Sequence, residues 1–88
     1  MEVYIGIDWS EKKHDIVYMN PSGAVIAELT IEHTPEGFLE LDALRVQLGV
    51  TPAMCSVGLE TAHNLIIDFL WSRQYEQVYV IPPSVIKG

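Results

Sequence analysis

Apolar and polar residues change their period four times along this chain, and the changes mark its elements. Val3-Tyr4-Ile5-Gly6-Ile7-Asp8 is a short apolar run ending in an acid, the pattern of a central buried strand. Trp9-Ser10-Glu11-Lys12-Lys13 is a polar turn. Asp15-Ile16-Val17-Tyr18-Met19 is a second strand, closed by the turn residues Asn20-Pro21-Ser22-Gly23. Ala24 to Ile31 alternates, with Val25, Ala27, Leu29 and Ile31 on one face, as a half-buried strand should. Three such strands joined by tight turns form an antiparallel meander.

The period then lengthens. Thr34 can cap a helix with Pro35 at its first position and Glu36 in its first turn. Phe38, Leu41, Leu44 and Leu48 share one helical stripe, Glu40, Arg45 and Gln47 fall off it, and Gly49 is a natural stop. Met54 to Leu59 is a fourth strand ending at Glu60. Thr61 is placed to cap a second helix running to about Arg73, with Leu65, Ile66, Phe69 and Leu70 facing the sheet. Val78 to Ile81 is a fifth strand, halted by Pro82-Pro83. The order is βββαβαβ.

Strands joined through helices become parallel neighbours by right-handed crossovers. The first strand therefore pairs with the fourth and the fifth lies outside it, giving a mixed α/β sheet of order 3-2-1-4-5. That order brings the C-terminal ends of strands one and four side by side, with Asp8 at one and Glu60 at the other. Neighbouring strands lie about 4.8 Å apart, so the two carboxylates can share a cation or bridge two. Anions this close repel unless neutralised, and hard oxygen donors select magnesium or manganese. Two such ions can activate an attacking oxygen and stabilise a leaving one in phosphodiester cleavage. A solvated acid at a strand end is common, so either residue alone says little; the pairing carries the reading.

Composition changes this picture in one respect. The chain has 88 residues, one small domain, and is 49% hydrophobic but only 19% charged, which suits a fragment with a face left to be covered. Twelve acids against five bases give a net charge of −7, so this segment alone should bind nucleic acid poorly. The single Cys55 rules out an internal disulfide and a cysteine-rich zinc site. No apolar run is long enough to span a membrane, and a cytoplasmic location is expected.

Gly6-Ile7-Asp8-Trp9-Ser10, the βββ meander and Leu59-Glu60-Thr61 before a helix resemble the N-terminal DEDD domain of insertion-sequence transposases of the one-ten family, whose catalytic domain is RuvC-like and so ribonuclease H-like. The closing Val80-Ile81-Pro82-Pro83-Ser84-Val85-Ile86-Lys87 is similar as well, although Ala62 and Asn64 stand where that family often has a glycine and an aromatic. The resemblance implies that residues 1–88 are the N-terminal part of such a domain, truncated, with Asp8 as the first acid of the set and Glu60 as the second. It further implies two magnesium or manganese ions in the complete domain. The last two acids and a C-terminal domain with a serine nucleophile would lie beyond Gly88, leaving this fragment inactive alone. DNA is the implied partner, with a guide RNA encoded by the element and a homo-oligomer in the full-length protein as further expectations.

Other residues read more plainly. Lys12 and Lys13 are weak candidates for phosphate contact, with surface solvation the simpler role. His63 is expected to face solvent, and His14 and His33 merely flank strands without zinc spacing. Cys55, Trp9, Trp71, Tyr75 and Tyr79 are expected to pack, and Ser10 has no base placed to make it a nucleophile. Two rival functions remain. An actin-like ATPase or sugar-kinase half also opens with such a meander, but it needs a glycine-rich phosphate turn where this chain has Trp9-Ser10-Glu11-Lys12-Lys13. A non-catalytic interaction module of the same fold would show no metal dependence through Asp8. Titration with divalent metal and with ATP separates the three.

Overall fold

The computed structural model describes residues 2–60 and 64–80. Its elements are β1 (Val3–Trp9), β2 (Lys13–Met19), β3 (Val25–Glu32), α1 (Pro35–Gln47), a 3-10 turn (Pro52–Met54), β4 (Cys55–Leu59), α2 (Asn64–Ser72) and β5 (Gln77–Val80). The five strands form one sheet of order β3-β2-β1-β4-β5. Both hairpins of the meander are antiparallel, while β1–β4 and β4–β5 are parallel. This is the mixed sheet and strand order expected from the connection rules.

Strand alternation sorts the side chains into two faces. Val3, Ile5 and Ile7 of β1, Ile16 and Tyr18 of β2, and Cys55, Val57 and Leu59 of β4 are buried, together with Phe38 and Leu41 of α1 and Ile66 and Leu70 of α2. The intervening residues Tyr4, Asp8 and Asp15 are exposed, and Gly6, Val17, Ser56 and Gly58 are half-buried, on the sheet face opposite the core. That core alone removes more than a dozen aliphatic and aromatic side chains from water, at roughly 1.5–3 kcal/mol for each large one.

Local signals set the helix ends. The Thr34 hydroxyl accepts from the Gly37 N–H at 3.0 Å, with Pro35 opening the helix. Gly37 is required sterically, since a Cβ there would collide with the Glu32 carbonyl as α1 presses on the end of β3. Gly49 takes φ 77°, and the N–H groups of Gly49 and Val50 turn back to Val46 and Arg45 to close the helix.

Three details depart from the alternation read along the chain. The β2–β3 register slips at Tyr18/Met19, so that Tyr18 faces Ala27 but Met19 faces Val25. Ile26 is therefore the extra residue of a bulge, and Val25 is exposed instead of joining Ala27, Leu29 and Ile31. In α2, Ile66 and Leu70 are buried and Phe69 half-buried as expected, whereas Leu65 is 56% exposed. Trp71 at 61% and Tyr79 at 54% are also on the surface of the described structure and lie outside the buried core. Thr61, His63 and the closing Pro82-Pro83 and Lys87 lie outside the described residues.

A buried polar network ties α1 to β2 and to the segments that follow α1 and precede β5. Asp42 is 8% exposed, receives the Arg45 Nε at 3.0 Å and accepts from the Tyr75 hydroxyl at 2.8 Å. Arg45 also donates to the Val50 carbonyl at 2.8 Å, and Tyr18 donates to the Leu41 carbonyl at 2.8 Å. Burial pushes the Asp42 carboxyl up, but the hydrogen bonds from Arg45 and Tyr75 outweigh it and hold the group below the ordinary carboxylate value. Burial pushes the Tyr75 and Tyr18 hydroxyls well up, so both stay protonated donors.

Candidate functional site

The site is built from what alternation leaves on the open face. Because Ile7 and Leu59 are register partners and both point into the core, the next residues, Asp8 and Glu60, follow at the same level of neighbouring parallel strands. Both line a single depression of about 1100 Å³, whose floor and walls include Tyr4, Gly6, Val17, Gly58 and Tyr79. The sequence expectation that these two acids share one end of the sheet holds.

A third acid joins them. Asp15 is the register partner of Asp8 across the β1–β2 hairpin and lines the same depression. The Thr30 hydroxyl, reaching from β3, donates to Asp15 Oδ1 at 2.8 Å and fixes that side chain. Sequence reading passed over Asp15 because it sits at the start of a strand; the hairpin register is the signal that would have found it.

The donors fit a hard divalent cation. Asp8 is exposed and Glu60 half-buried, both offer only oxygen, and the face is open to water that would complete an oxygen shell. Among the described residues no group of three or more histidine, cysteine, aspartate or glutamate side chains is close enough to form a complete metal cage. Asp8 and Glu60 would therefore supply two protein donors to an ion, with water completing its shell.

Lys12 and Lys13 lie at the same end of the sheet and are exposed. They line a smaller cleft of about 380 Å³ together with Glu11, Glu32, His33 and Thr34, and Lys13 is opposite Glu32 in the β2–β3 ladder. The two adjacent carboxylates dilute their positive field.

Behind Asp8, on the helix-covered face, stands a cluster that spacing alone did not reveal. Trp9 stacks on His14 with ring centroids 3.6 Å apart and planes at 14°, and His33 meets both rings edge-on. His14 is fully buried. Its Nδ1 accepts from the Ser10 N–H at 3.2 Å, so in the neutral ring Nε2 carries the proton and donates to His33 Nδ1 at 3.1 Å. That tautomer leaves no lone pair on His14 Nε2 for a metal, consistent with the absence of zinc spacing. The Ser10 hydroxyl donates to the Lys13 carbonyl, which occupies it within the turn. Cys55 is buried in β4, and burial raises its thiol pKa, as suits an inert core residue.

Comparison with known proteins agrees with this geometry. The chain is similar over 84 residues, at 30% identity, to the Streptomyces coelicolor protein assigned as the mini-circle transposase for IS117. The match takes in 94% of this chain and 20% of that relative, so the chain spans about a fifth of the length of the relative it matches. Among solved structures, ribonuclease H1 from the halophilic archaeon Halobacterium salinarum superposes with a TM-score of 0.55 at 9% identity, covering 99% of this chain and 90% of that one. At that identity the likeness shows a shared ribonuclease H-like fold. The family model of the DEDD transposases of IS110, described as transposase, matches residues 5–87. The chain belongs to the IS110 family of DEDD transposases.

Proposed function

We propose that residues 1–88 form the N-terminal, acid-bearing sheet of a divalent-metal-dependent DNA transposase domain, with Asp8 and Glu60 as its first two metal ligands. The observation that carries this reading is their placement as successors of the paired residues Ile7 and Leu59 on adjacent parallel strands. Magnesium or manganese held there, two ions in the complete domain, would supply activation of the attacking oxygen and neutralisation of charge on the leaving one. The chain's own residues do the rest. The sheet fixes the two carboxylates side by side, Asp15 deepens the negative field around them, and the open face admits a strand of DNA.

Cutting and joining DNA would need further acids and a nucleophile from the remainder of a longer protein, so the chain by itself is proposed to be inactive. The net charge of −7 assigns most of the DNA-binding surface to that remainder, with Lys12 and Lys13 at most grazing phosphates. A guide RNA, a homo-oligomer and a cytoplasmic setting belong to the same proposal.

The test is metal-linked stability. Manganese at a hundredfold excess over its dissociation constant should stabilise the chain by about 2.7 kcal/mol. Asp8→Asn and Glu60→Gln should each abolish that gain. Recombination by a full-length protein that persists unchanged after Asp8→Ala or Glu60→Ala would overturn the assignment.

A further inference from the structure

We propose that His14 is a positioning residue for Asp8, acting from the opposite face of the sheet; this rests on the reading of Asp8 as a metal ligand. The two residues that follow Asp8 in the chain are both held by His14. Its ring stacks on Trp9 at 3.6 Å, and its Nδ1 accepts the N–H of Ser10 at 3.2 Å. Trp9 and His14 are also the last register pair of the β1–β2 ladder, so this ring closes the hairpin where the sheet's own pairing ends.

An apolar residue would serve packing alone. The other buried positions of β2 are Ile16 and Tyr18, and a fully buried imidazole costs desolvation unless its nitrogens are bonded. Here both are: one to the backbone just past the acid, the other to His33. His33 in turn donates its backbone N–H to the Lys12 carbonyl at 3.1 Å, and its ring meets Phe38 of α1 at 5.7 Å. The chain of contacts runs from the core helix, through two histidines, to the peptide units that follow Asp8. Loss of it would let the end of β1 turn about its axis and carry the Asp8 carboxylate away from Glu60. Ligand-orienting residues of this kind change metal affinity about 10–100-fold when removed.

The experiment measures Mn²⁺ affinity of the 88-residue chain by calorimetry, with hydrogen exchange at the Ser10 amide as the readout that packing alone would not move. His14→Leu should weaken Mn²⁺ binding about tenfold and speed exchange at Ser10 while the cooperative thermal transition persists. His14→Asn, whose side-chain oxygen can still accept from Ser10, should recover most of the affinity. Ser10→Pro, which deletes the donor without touching the core, should weaken binding as His14→Leu does, and it carries the test if His14→Leu fails to fold. Unchanged affinity in folded His14→Leu or in Ser10→Pro would overturn the proposal while leaving Asp8 and Glu60 as ligands. Equal losses in the Asn and Leu variants would also overturn it, reducing His14 to packing. An unsubstituted chain that binds no Mn²⁺ would overturn the metal reading itself, and this proposal with it.

Discussion

Asp8 and Asp15 face each other across the β1–β2 ladder, two carboxylates in register on the open face of the sheet. Like charges directly opposite in an antiparallel pair destabilise it by roughly 0.2–1 kcal/mol. Asp15→Asn should therefore raise the thermal midpoint of the metal-free chain and lower the gain on adding Mn²⁺. A thermal-shift series with and without metal reads both signs at once. No change in either would mean that Thr30 already screens Asp15 from its neighbour.

Gly6 sits beside Gly58 on the floor of the same depression, and nothing among the described residues explains it: a Cβ there meets none of their atoms within 4 Å, and its φ is not positive. Gly6→Ala should stabilise the 88-residue chain by about 0.5–1 kcal/mol, because it removes backbone freedom from the unfolded state. Chemical denaturation checks this through an increased midpoint at constant slope. Loss of function in the whole transposase, alongside that gain, would show that the bare floor is kept for whatever lies over it.

Gly37→Ala should do the reverse. Its Cβ would meet the Glu32 carbonyl, so α1 must lift away from β3 or the end of β3 must bend. Overpacking of this kind costs about 1–3 kcal/mol, and a lowered denaturation midpoint is the expected reading.

Asp42 makes stability depend on acid. Its carboxyl is held below the ordinary value of 3.8 by Arg45 and Tyr75, so its contribution is complete above that pH. It is lost as pH falls through the lowered folded value, where protonation breaks the ion pair. Asp42→Ala should cost roughly 3 kcal/mol or more at neutral pH, since it leaves the Arg45 charge unpaired and the Tyr75 hydroxyl without its acceptor. The same variant should flatten the acid limb of the stability curve below about pH 4. A limb as steep as in the unsubstituted chain would mean that other carboxylates drive acid unfolding.

Much of this fold is legible from local chemistry. Thr34-Pro35 and Gly49 announce both ends of α1, and the alternation of Val3, Ile5 and Ile7 with Tyr4, Gly6 and Asp8 fixes which side of β1 carries the acid. Connection rules then bring Asp8 to Glu60. What escaped depends on register or on distant partners. Val25 leaves its stripe because a bulge at Ile26 shifts the ladder, and a bulge has no distinctive residue type here. His14 looked like a strand flank because its burial comes from pairing with Trp9 across the hairpin. Asp42 carries no signal in the spacing of α1, and its burial is tolerable because Arg45 and Tyr75, the latter 33 positions later, meet its carboxylate. Leu65 was assigned to the buried stripe by spacing alone, yet Ile66 and Leu70 fill that role without it.

The parallel junction of β1 with β4 has a kinetic consequence. The meander closes through short turns, but Val3 meets Cys55 only after an intervening hairpin and helix have been laid down. Contacts so distant in sequence form slowly, because a long loop must lose its entropy before they repay it. A nascent chain holding only its first three strands thus has Asp8 in place and Glu60 still adrift. Nothing in such a chain gathers the two anions, so the ion-binding end would arise together with the final sheet and not before it.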